Sequence, residues 1–531
     1  INEIHRLNAM AAMEIRSGEN KNNTNTVWGY VPERGEILVS PTYPTEITPV
    51  GGTVPISWGA LDKLYQGGWK NTTITNNYVS FFVTFAYSLK DRYVFNANVR
   101  SDASNRFGQN ANKQFDPTYS FGISWRMAEE EFVKTYLPWL NQLNLRATYG
   151  VQGNVVTSIS PDLITQYQGI LPGYNEYYLT ISSLPNPLLK WERTKTWNLG
   201  LDLQLFNGIS MSLEYYGRRS NAIINQDIAQ EYGMNAMKLN GGRIHNHGLE
   251  YSVNITPYQR KDFVWTIGIN ASKNWNRTQN NDIRTKADKI TKSNFLTGSS
   301  DRFLKKGYPL SAFWSYSFAG LDPETGYPTF NLIDFEEADP DIDPTTFLVY
   351  SGQKDPYFTG GVNTRARYKS FSLGVNFSVL LGAKKRLPNP YQNFSHGKLP
   401  DPFYNLSKDL LKRWQKTGDE KHTIYPALYT SVEDLYNIQL PDGTMSNSIY
   451  DMWGQSDAMV VNASFLRCTQ ISLSWNMPKQ ICSKFGATNC SISANVNNPF
   501  VIGSSRFNGF DPELGDSVMP KIFSFGLSVG F

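Results

Sequence analysis

The sequence predicts an all-β fold, a transmembrane antiparallel β-barrel, on three observations. First, the closing segment KIFSFGLSVGF places Phe523, Phe525, Leu527, Val529 and Phe531 on one side of an extended strand and Ser524, Gly526, Ser528 and Gly530 on the other. That two-residue repeat is the side-chain period of a β-strand. A strand with hydrocarbon on one side and a wet lumen on the other needs bulky apolar residues at alternate positions. Second, the pattern recurs in about ten segments, several ending in Trp or Tyr, as the aromatic girdles of an outer-membrane barrel do. Third, aromatics make up 14% of the chain while mean hydropathy is negative. No stretch approaches the ~18 uncharged apolar residues of a membrane-spanning helix, which excludes a helical membrane protein.

The individual strands follow from the same period. RYVFNANVRSD sets Tyr93, Phe95, Ala97 and Val99 against Asn96, Asn98, Arg100 and Asp102. YSFGISWRM sets Tyr119, Phe121, Ile123 and Trp125 against Ser120, Gly122, Ser124 and Arg126. TWNLGLDLQLF sets Trp197, Leu199, Leu201, Leu203 and Leu205 against Asn198, Gly200, Asp202 and Gln204. The whole chain gives about sixteen strands, near 6–16, 77–88, 92–102, 118–127, 143–153, 191–206, 209–220, 243–257, 263–276, 312–321, 326–334, 358–368, 371–382, 464–477, 489–502 and 520–531. No change of composition marks a linker, so residues 1–531 read as one continuous barrel portion. Tight connections (LKD before Arg92, FNG before Ile209, QRKD before Phe263, KS before Phe371) alternate with long ones at roughly 17–76, 154–190, 221–242, 277–311, 335–357 and 383–463. Barrels of this class keep short turns in the periplasm and long loops outside. With the last strand descending, every tight turn falls on the periplasmic side. AEEEFVKTYLPWLNQ is a longer stretch on that side, read either as holding a short helix or, in preference, as a packed amphipathic turn.

No GxSxG elbow, HExxH helix, GxxxxGK phosphate loop or GxGxxG turn occurs, so no catalytic residue is assigned and no enzyme is expected. The 50 Lys and Arg against 46 Asp and Glu leave a net charge of +4, and no basic run suggests nucleic acid. Cys482 and Cys490 flank a short connection and read either as an oxidised hairpin or as free thiols; no zinc-ligand spacing involves them. His245 and His247 share a strand face with no third ligand near. The acidic run IDFEEADPDID offers Asp339, Asp341 and Asp343 as oxygens for Ca²⁺, but lacks the spacing of an EF-hand loop; a solvated loop is the plainer reading. Tyr174, Tyr177 and Tyr178 can stack on sugar rings or peptide side chains, with packing inside their loop the plainer reading.

Alternation also assigns the polar side chains. Asn96, Asn98, Arg126, Arg146, Asn198, Asp202 and Gln204 are expected to face the lumen along a solute path, supplying polarity and weak hydrogen bonds. Asp202, Glu214 and Glu250 are expected to pair with Arg126 or Arg146.

Several segments carry a family resemblance: RSDASNRFG (100–108), YSFGISWRMAEEEF (119–132), LNLRATYGVQGN (143–154), NPLLKWERTKTWNLGLDLQLFNG (186–208), GLDPETG (320–326), FTGGVNTRARYKSFSLGVNFSVLLG (358–382), SFLRCTQISLSWNMPK (464–479) and NNPFVIGSSRFNGFDPELG (497–515). In order and over essentially the entire chain, they resemble the SusC-like TonB-dependent outer-membrane transporters of Bacteroidetes-type bacteria. The resemblance implies a 22-strand barrel with an N-terminal plug, importing nutrient oligomers (glycans or peptides) beneath a SusD-like surface lipoprotein and powered through TonB. It implies that Phe531 serves barrel insertion. In this topology RSDASNRFG opens an upper loop, where Arg100, Asp102 and Arg106 are expected to brace loops or meet the plug or lid, with substrate contact the other reading. The family's plug, TonB-binding segment and roughly its first six strands have no counterpart in this sequence, and Ile1 follows no signal segment. The chain is therefore expected to be part of a longer exported precursor. Its barrel would be completed by the N-terminal portion of the same transporter as a separate chain. Two other readings remain: a self-sufficient passive porin of sixteen strands, and a secreted all-β glycan-binding or adhesin protein, against which the exposed Trp, Leu and Phe rows argue.

Overall fold

Segments with one greasy and one polar side satisfy their backbone groups only by pairing laterally. The computed structural model describes residues 4–24, 30–31, 37–38, 70–105, 115–156, 159–171, 173–174, 176–206, 208–228, 230–234, 236–279, 305–332, 348–391, 406–428, 437–439 and 445–531. Fourteen strands form one sheet: β1 (His5–Thr24), β2 (Lys70–Leu89), β3 (Tyr93–Ser104), β4 (Phe115–Arg126), β5 (Leu140–Asn154), β6 (Glu192–Leu205), β7 (Ile209–Asp227), β8 (Ala236–Gln259), β9 (Phe263–Thr278), β10 (Phe358–Tyr368), β11 (Phe371–Leu381), β12 (Phe465–Asn476), β13 (Asn489–Ile502) and β14 (Ile522–Gly530). Each pairs antiparallel with its neighbour, and spatial order is sequence order. That up-and-down course is the topology of outer-membrane barrels. The described pairings do not join β14 to β1.

Two of the sixteen expected strands lie outside this sheet. Ala312–Tyr316 pairs with Leu348–Gln353, and Phe318–Leu321 with Pro328–Phe330, in small hairpins of the long connections. All five residues of the first are buried, leaving no side to offer to lipid. The second turns through GLDPETG, where Asp322 Oδ1 accepts from the amides of Glu324 (2.9 Å) and Thr325 (2.8 Å). Gly326 there has φ 70°, and a Cβ would collide with the Trp414 ring. Other strands run further than expected: β1 and β2 stay paired to Thr24 and Lys70. A strand crosses a bilayer in about 9–11 residues, so these ribbons project beyond it. Their outer parts, ENKNNT and KNTTITNN, are polar on both sides apart from Ile74 and lose the period of two.

Directly paired residues share a face, so register tests the alternation. One row reads Asn98, Ser120, Gly150, Thr196, Arg218, Asn246, Asn276 across seven strands, and another reads Asn363, Asn376, Gln470, Asn497. The opposite face reads Phe95, Ile123, Ala147, Leu199, Tyr215, Leu249 and Leu373, Leu473, Ala494, Phe525. Phe525 and Leu527 are 85% and 71% exposed, as hydrocarbon-facing residues of a chain viewed without lipid must be.

Connections alternate as expected. One end carries short turns; Lys90 and Asp91 both adopt positive φ there (51° and 54°), the two-residue geometry that suits strand twist. Stacked rings mark that end: Tyr93 on Trp125, Trp139 on Phe206 and Phe371 on Trp475. The AEEEFVKTY stretch holds a short helix at Glu131–Tyr136, where a packed turn is the preferred expectation from sequence. Glu130 ties it to the sheet, accepting from Arg92 Nη1 (2.9 Å), Tyr93 Oη (2.7 Å) and Trp125 Nε1 (3.2 Å). Cys482 and Cys490 are free thiols buried together near this end. At the other end, described parts of the connections after β9, β11 and β13 pack around a core of Tyr391, Tyr450, Trp453, Met459, Val461 and Phe507. The Tyr450 and Trp453 polar tips donate to Ala427 O (2.7 Å) and Ile424 O (2.9 Å), so these rings bury without orphaned groups.

Candidate functional site

The polar face of the sheet is the candidate site, and its centre is built on Arg146 of β5. Arg146 lies opposite Gly200 of β6. A Cβ at residue 200 would stand 3.1–3.3 Å from the guanidinium; without it, Arg146 lies across β6 and reaches β7. Its Nη2 donates to Glu214 Oε1 (2.9 Å) and Asp202 Oδ1 (3.1 Å). Asn198 donates to the second Glu214 oxygen (2.9 Å) and Ser212 to Asp202 (2.8 Å). One cation thus serves two carboxylates, and Glu250, directly opposite Glu214 on β8, adds a third. Glu214 and Glu250 border a recess of about 440 Å³ with Ser252, Asn270 and Ser272. All these groups are partly solvated, so pairing orders the wall more than it stabilises it.

A second recess, about 520 Å³, lies along β10–β13 and is lined by Asn363, Ser372, Asn376, Gln470, Ser472 and Asn495. Asn376 donates to Gln470 Oε1 at 3.2 Å. Its lining is amide and hydroxyl with one cation, Arg365. Together the two zones offer many weak, exchangeable hydrogen bonds and no nucleophile–base pair.

The seven lumen residues expected from sequence fall on this one face. Asn96, Gly122, Thr148 and Asn198 form one row, and Arg126, Asn144 and Asp202 another. Gln204 pairs with Gln142 on the same side, and Asn98 donates to Ser120 Oγ at 3.2 Å. Of the two arginines expected to pair with carboxylates, Arg146 does. Arg126 instead approaches Asp91 O (3.4 Å), because its strand ends at the short turn, away from Asp202 and Glu214. Arg100 binds Asp102 through Nε (2.6 Å) and Glu14 and Ser80 through Nη2 (3.0 and 2.8 Å), clasping β1, β2 and β3. Arg106, Asp339, Asp341 and Asp343 lie outside the described residues. Among the described residues no group of His, Cys, Asp and Glu fits a metal ion; His245 and His247 sit on the apolar face, with His247 stacked on Trp275. This second recess was missed from sequence. FSLGVNFSV already set Asn376 opposite the apolar row, yet the partners of Asn376 come from strands about a hundred residues away.

The family model "TonB dependent receptor-like, beta-barrel" matches residues 17–384. The TonB-dependent receptor SusC of Bacteroides thetaiotaomicron is 27% identical over 488 residues, covering 86% of this chain and 44% of that protein. TonB-dependent receptor P3 of Formosa agariphila is 25% identical over 459 residues, covering 82% and 42%. Among solved structures, the RagAB peptide transporter matches all of this chain and 54% of its own at TM-score 0.72 and 21% identity. The RagAB importer in its 'open-open' state matches at TM-score 0.75 and 21% identity, covering 100% of this chain and 53% of that one; both show the same fold. The chain spans less than half the length of the curated relatives it matches. With the family model covering most of its residues, the chain belongs to the TonB-dependent receptor-like β-barrel family, as a SusC-like outer-membrane barrel protein and not an enzyme.

Proposed function

We propose that this chain is the C-terminal part of the barrel of an active outer-membrane importer. It would take up nutrient oligomers, glycans or peptides, beneath a SusD-like lipoprotein and with energy delivered through TonB, in a Bacteroidetes-type bacterium. The observation that carries this reading is the polar face running across fourteen paired strands, backed by an equally continuous apolar face. Asn96, Asn98, Arg126, Arg146, Asn198, Asp202 and Gln204 line the path in this reading. Their groups are half-exposed and easily traded for water, which lets a solute bind and then leave. Arg100, Asp102 and Arg106 hold the upper wall toward plug and lid, and Phe531 serves insertion into the membrane.

Unpaired strand edges in lipid cost several kcal/mol for each unsatisfied group. β1 and β14 are the two ends of the described sheet. A 22-strand barrel would supply eight further strands between them, which we assign, with the plug, to an N-terminal portion of the same transporter. The test is uptake of labelled oligosaccharides and oligopeptides by cells with and without TonB, combined with mild-detergent purification. TonB-dependent uptake of one class, with a surface lipoprotein and a plug-bearing segment in the purified complex, is the expected result. Conductance by this chain alone in liposomes, with uptake indifferent to TonB, would refute it in favour of a passive pore.

A further inference from the structure

The apolar face of β5–β9 ends, toward the long connections, in an aromatic row. Tyr149 pairs with Trp197, Trp197 with Gly217, Gly217 with His247 and His247 with Trp275. Trp197 lies over Gly217, where a Cβ would come within 2.5 Å of the ring. The next row outward is cationic: Lys195 pairs with Arg219, Arg219 with His245, and His245 with Arg277. One row further, Arg193 pairs with Asn221 and Asn221 with Arg243. By alternation these residues share the face of Trp197 and not that of the lumen.

Like charges placed opposite one another destabilise a sheet. Among the described ion pairs only Arg193 is neutralised, by Asp116; Lys195, Arg219 and Arg243 face no carboxylate in those pairs. The three border one open groove of about 820 Å³, with Trp191 and Phe115 in its wall. Height locates the groove. From Trp197 to Leu205 the strand covers about 27 Å at ~3.4 Å per residue, which a tilt of about 40° reduces to about 21 Å, close to a barrel's ~25 Å apolar band. The cations therefore stand at headgroup level, directly above residues that face acyl chains.

We propose that this outward strip binds the phosphate groups of an anionic lipid of the outer leaflet, whose acyl chains lie against Trp197, Leu199 and Leu201. Guanidinium forks engage phosphate oxygens two at a time, and one lipid carrying two phosphates neutralises cations on adjacent strands together. A partner protein seated on the long connections would lie beyond this level and face away from it. The inference takes from the functional reading only that the long connections point outward; it does not depend on cargo, lid or TonB.

The test uses the whole transporter, extracted in mild detergent and delipidated. It is titrated with bis-phosphorylated lipid A, dephosphorylated lipid A or inorganic phosphate, and bound lipid is counted by native mass spectrometry. The bis-phosphorylated form is expected to bind at least about tenfold more tightly than the dephosphorylated form, at roughly fivefold per cation engaged. Replacing Lys195→Gln, Arg219→Gln and Arg243→Gln together should weaken binding roughly a hundredfold. Arg218→Gln, on the lumen side of the same ladder, should change nothing. The triple variant loses like-charge repulsion, so its melting temperature without lipid should hold or rise, separating lost binding from lost folding. Equal binding of the dephosphorylated lipid, or undiminished binding by the triple variant, overturns the proposal. Full competition by inorganic phosphate at equal concentration also overturns it, by assigning the strip to soluble anions.

Discussion

Replacing Asp511 by Asn should loosen the last long connection from the sheet. Arg467 sits near the upper end of β12 and Asp511 in the 503–521 connection, and both side chains are only 4% exposed. Arg467 Nη2 donates to Asp511 Oδ1 at 2.6 Å and to Glu513 Oε2 at 3.1 Å. The guanidinium lies over the Phe465 ring, and its Nε finds no hydrogen-bond partner among the described residues. Breaking a buried pair from one side strands a desolvated charge and costs about 3–5 kcal/mol. Glu513 remains beside the cation, which places Asp511→Asn at the lower end, about 3 kcal/mol. Limited proteolysis of the folded protein reads this directly. Where reclosing outpaces cleavage, the rate tracks the opening equilibrium, so cutting within 503–521 should accelerate about a hundredfold. Removing both charges with Arg467→Met and Asp511→Leu should cost far less than removing one. Acidity gives a second readout. Burial pushes the Asp511 carboxyl up, but Arg467 and the amides of Glu513 and Leu514 outweigh it and hold the group below its ordinary range. A depressed folded value means the stabilisation is whole above the unfolded pKa of ~3.9 and is lost as pH falls through the folded one. Wild-type protection should therefore fade in acid while the Asn variant, already open, changes little. Wild-type cleavage rates in Asp511→Asn, or a double variant as open as the single, would refute the reasoning.

Three further outcomes follow from the two faces of the sheet. Leu201→Arg puts a cation on the lipid side midway between Trp197 and Leu205 and should cost about 2–4 kcal/mol, whereas Asn198→Arg, on the lumen side of the same strand, should assemble normally; heat-modifiability on gels separates the two. Arg146→Met leaves Asp202 and Glu214 without their cation, beside Glu250, and uptake of anionic relative to neutral oligomers should fall about two- to fivefold, the scale of a solvated ion pair. Gly217→Val drives a side chain into the Trp197 ring and should destabilise by about 1–3 kcal/mol, seen as a lower melting temperature, with Gly217→Ala milder.

The strand set was legible wherever one face meets hydrocarbon. TWNLGLDLQLF and KIFSFGLSVGF alternate because lipid rejects polar side chains at every second position, and β6 and β14 stand where that pattern put them. Legibility failed where lipid is absent. The polar continuations of β1 and β2 have water on both sides and no reason to alternate. AFWSY, buried on every side, imitates a membrane strand in composition while belonging to a packed hairpin. At the site, the face of each residue was readable but its partner was not. Arg146 could be placed on the lumen side, yet its reach to Glu214 depends on Gly200 lying between them. The cationic strip was hidden for the same reason. Lys195, Arg219 and Arg243 are separated by more than twenty residues along the chain, and only register places them side by side.

Register also accounts for a charge balance that looks featureless in composition. The net charge of +4 conceals a separation by parity along the same strands. On β7, Glu214 faces the lumen and Arg219, five residues on, faces outward; on β6, Asp202 faces the lumen and Lys195 outward. A solvated lumen tolerates carboxylates at half exposure because water screens them. On the outward face charge gathers beyond the apolar band, where Arg193 is paired with Asp116 and Lys195, Arg219 and Arg243 meet no carboxylate among the described ion pairs; within the band Lys273 lies over the Trp275 and Tyr357 rings. A single strand therefore serves two electrostatic environments, and each places its own limit on substitution. Charge may be redistributed within the lumen at little cost in folding, while the outward cations can be altered without touching the solute path.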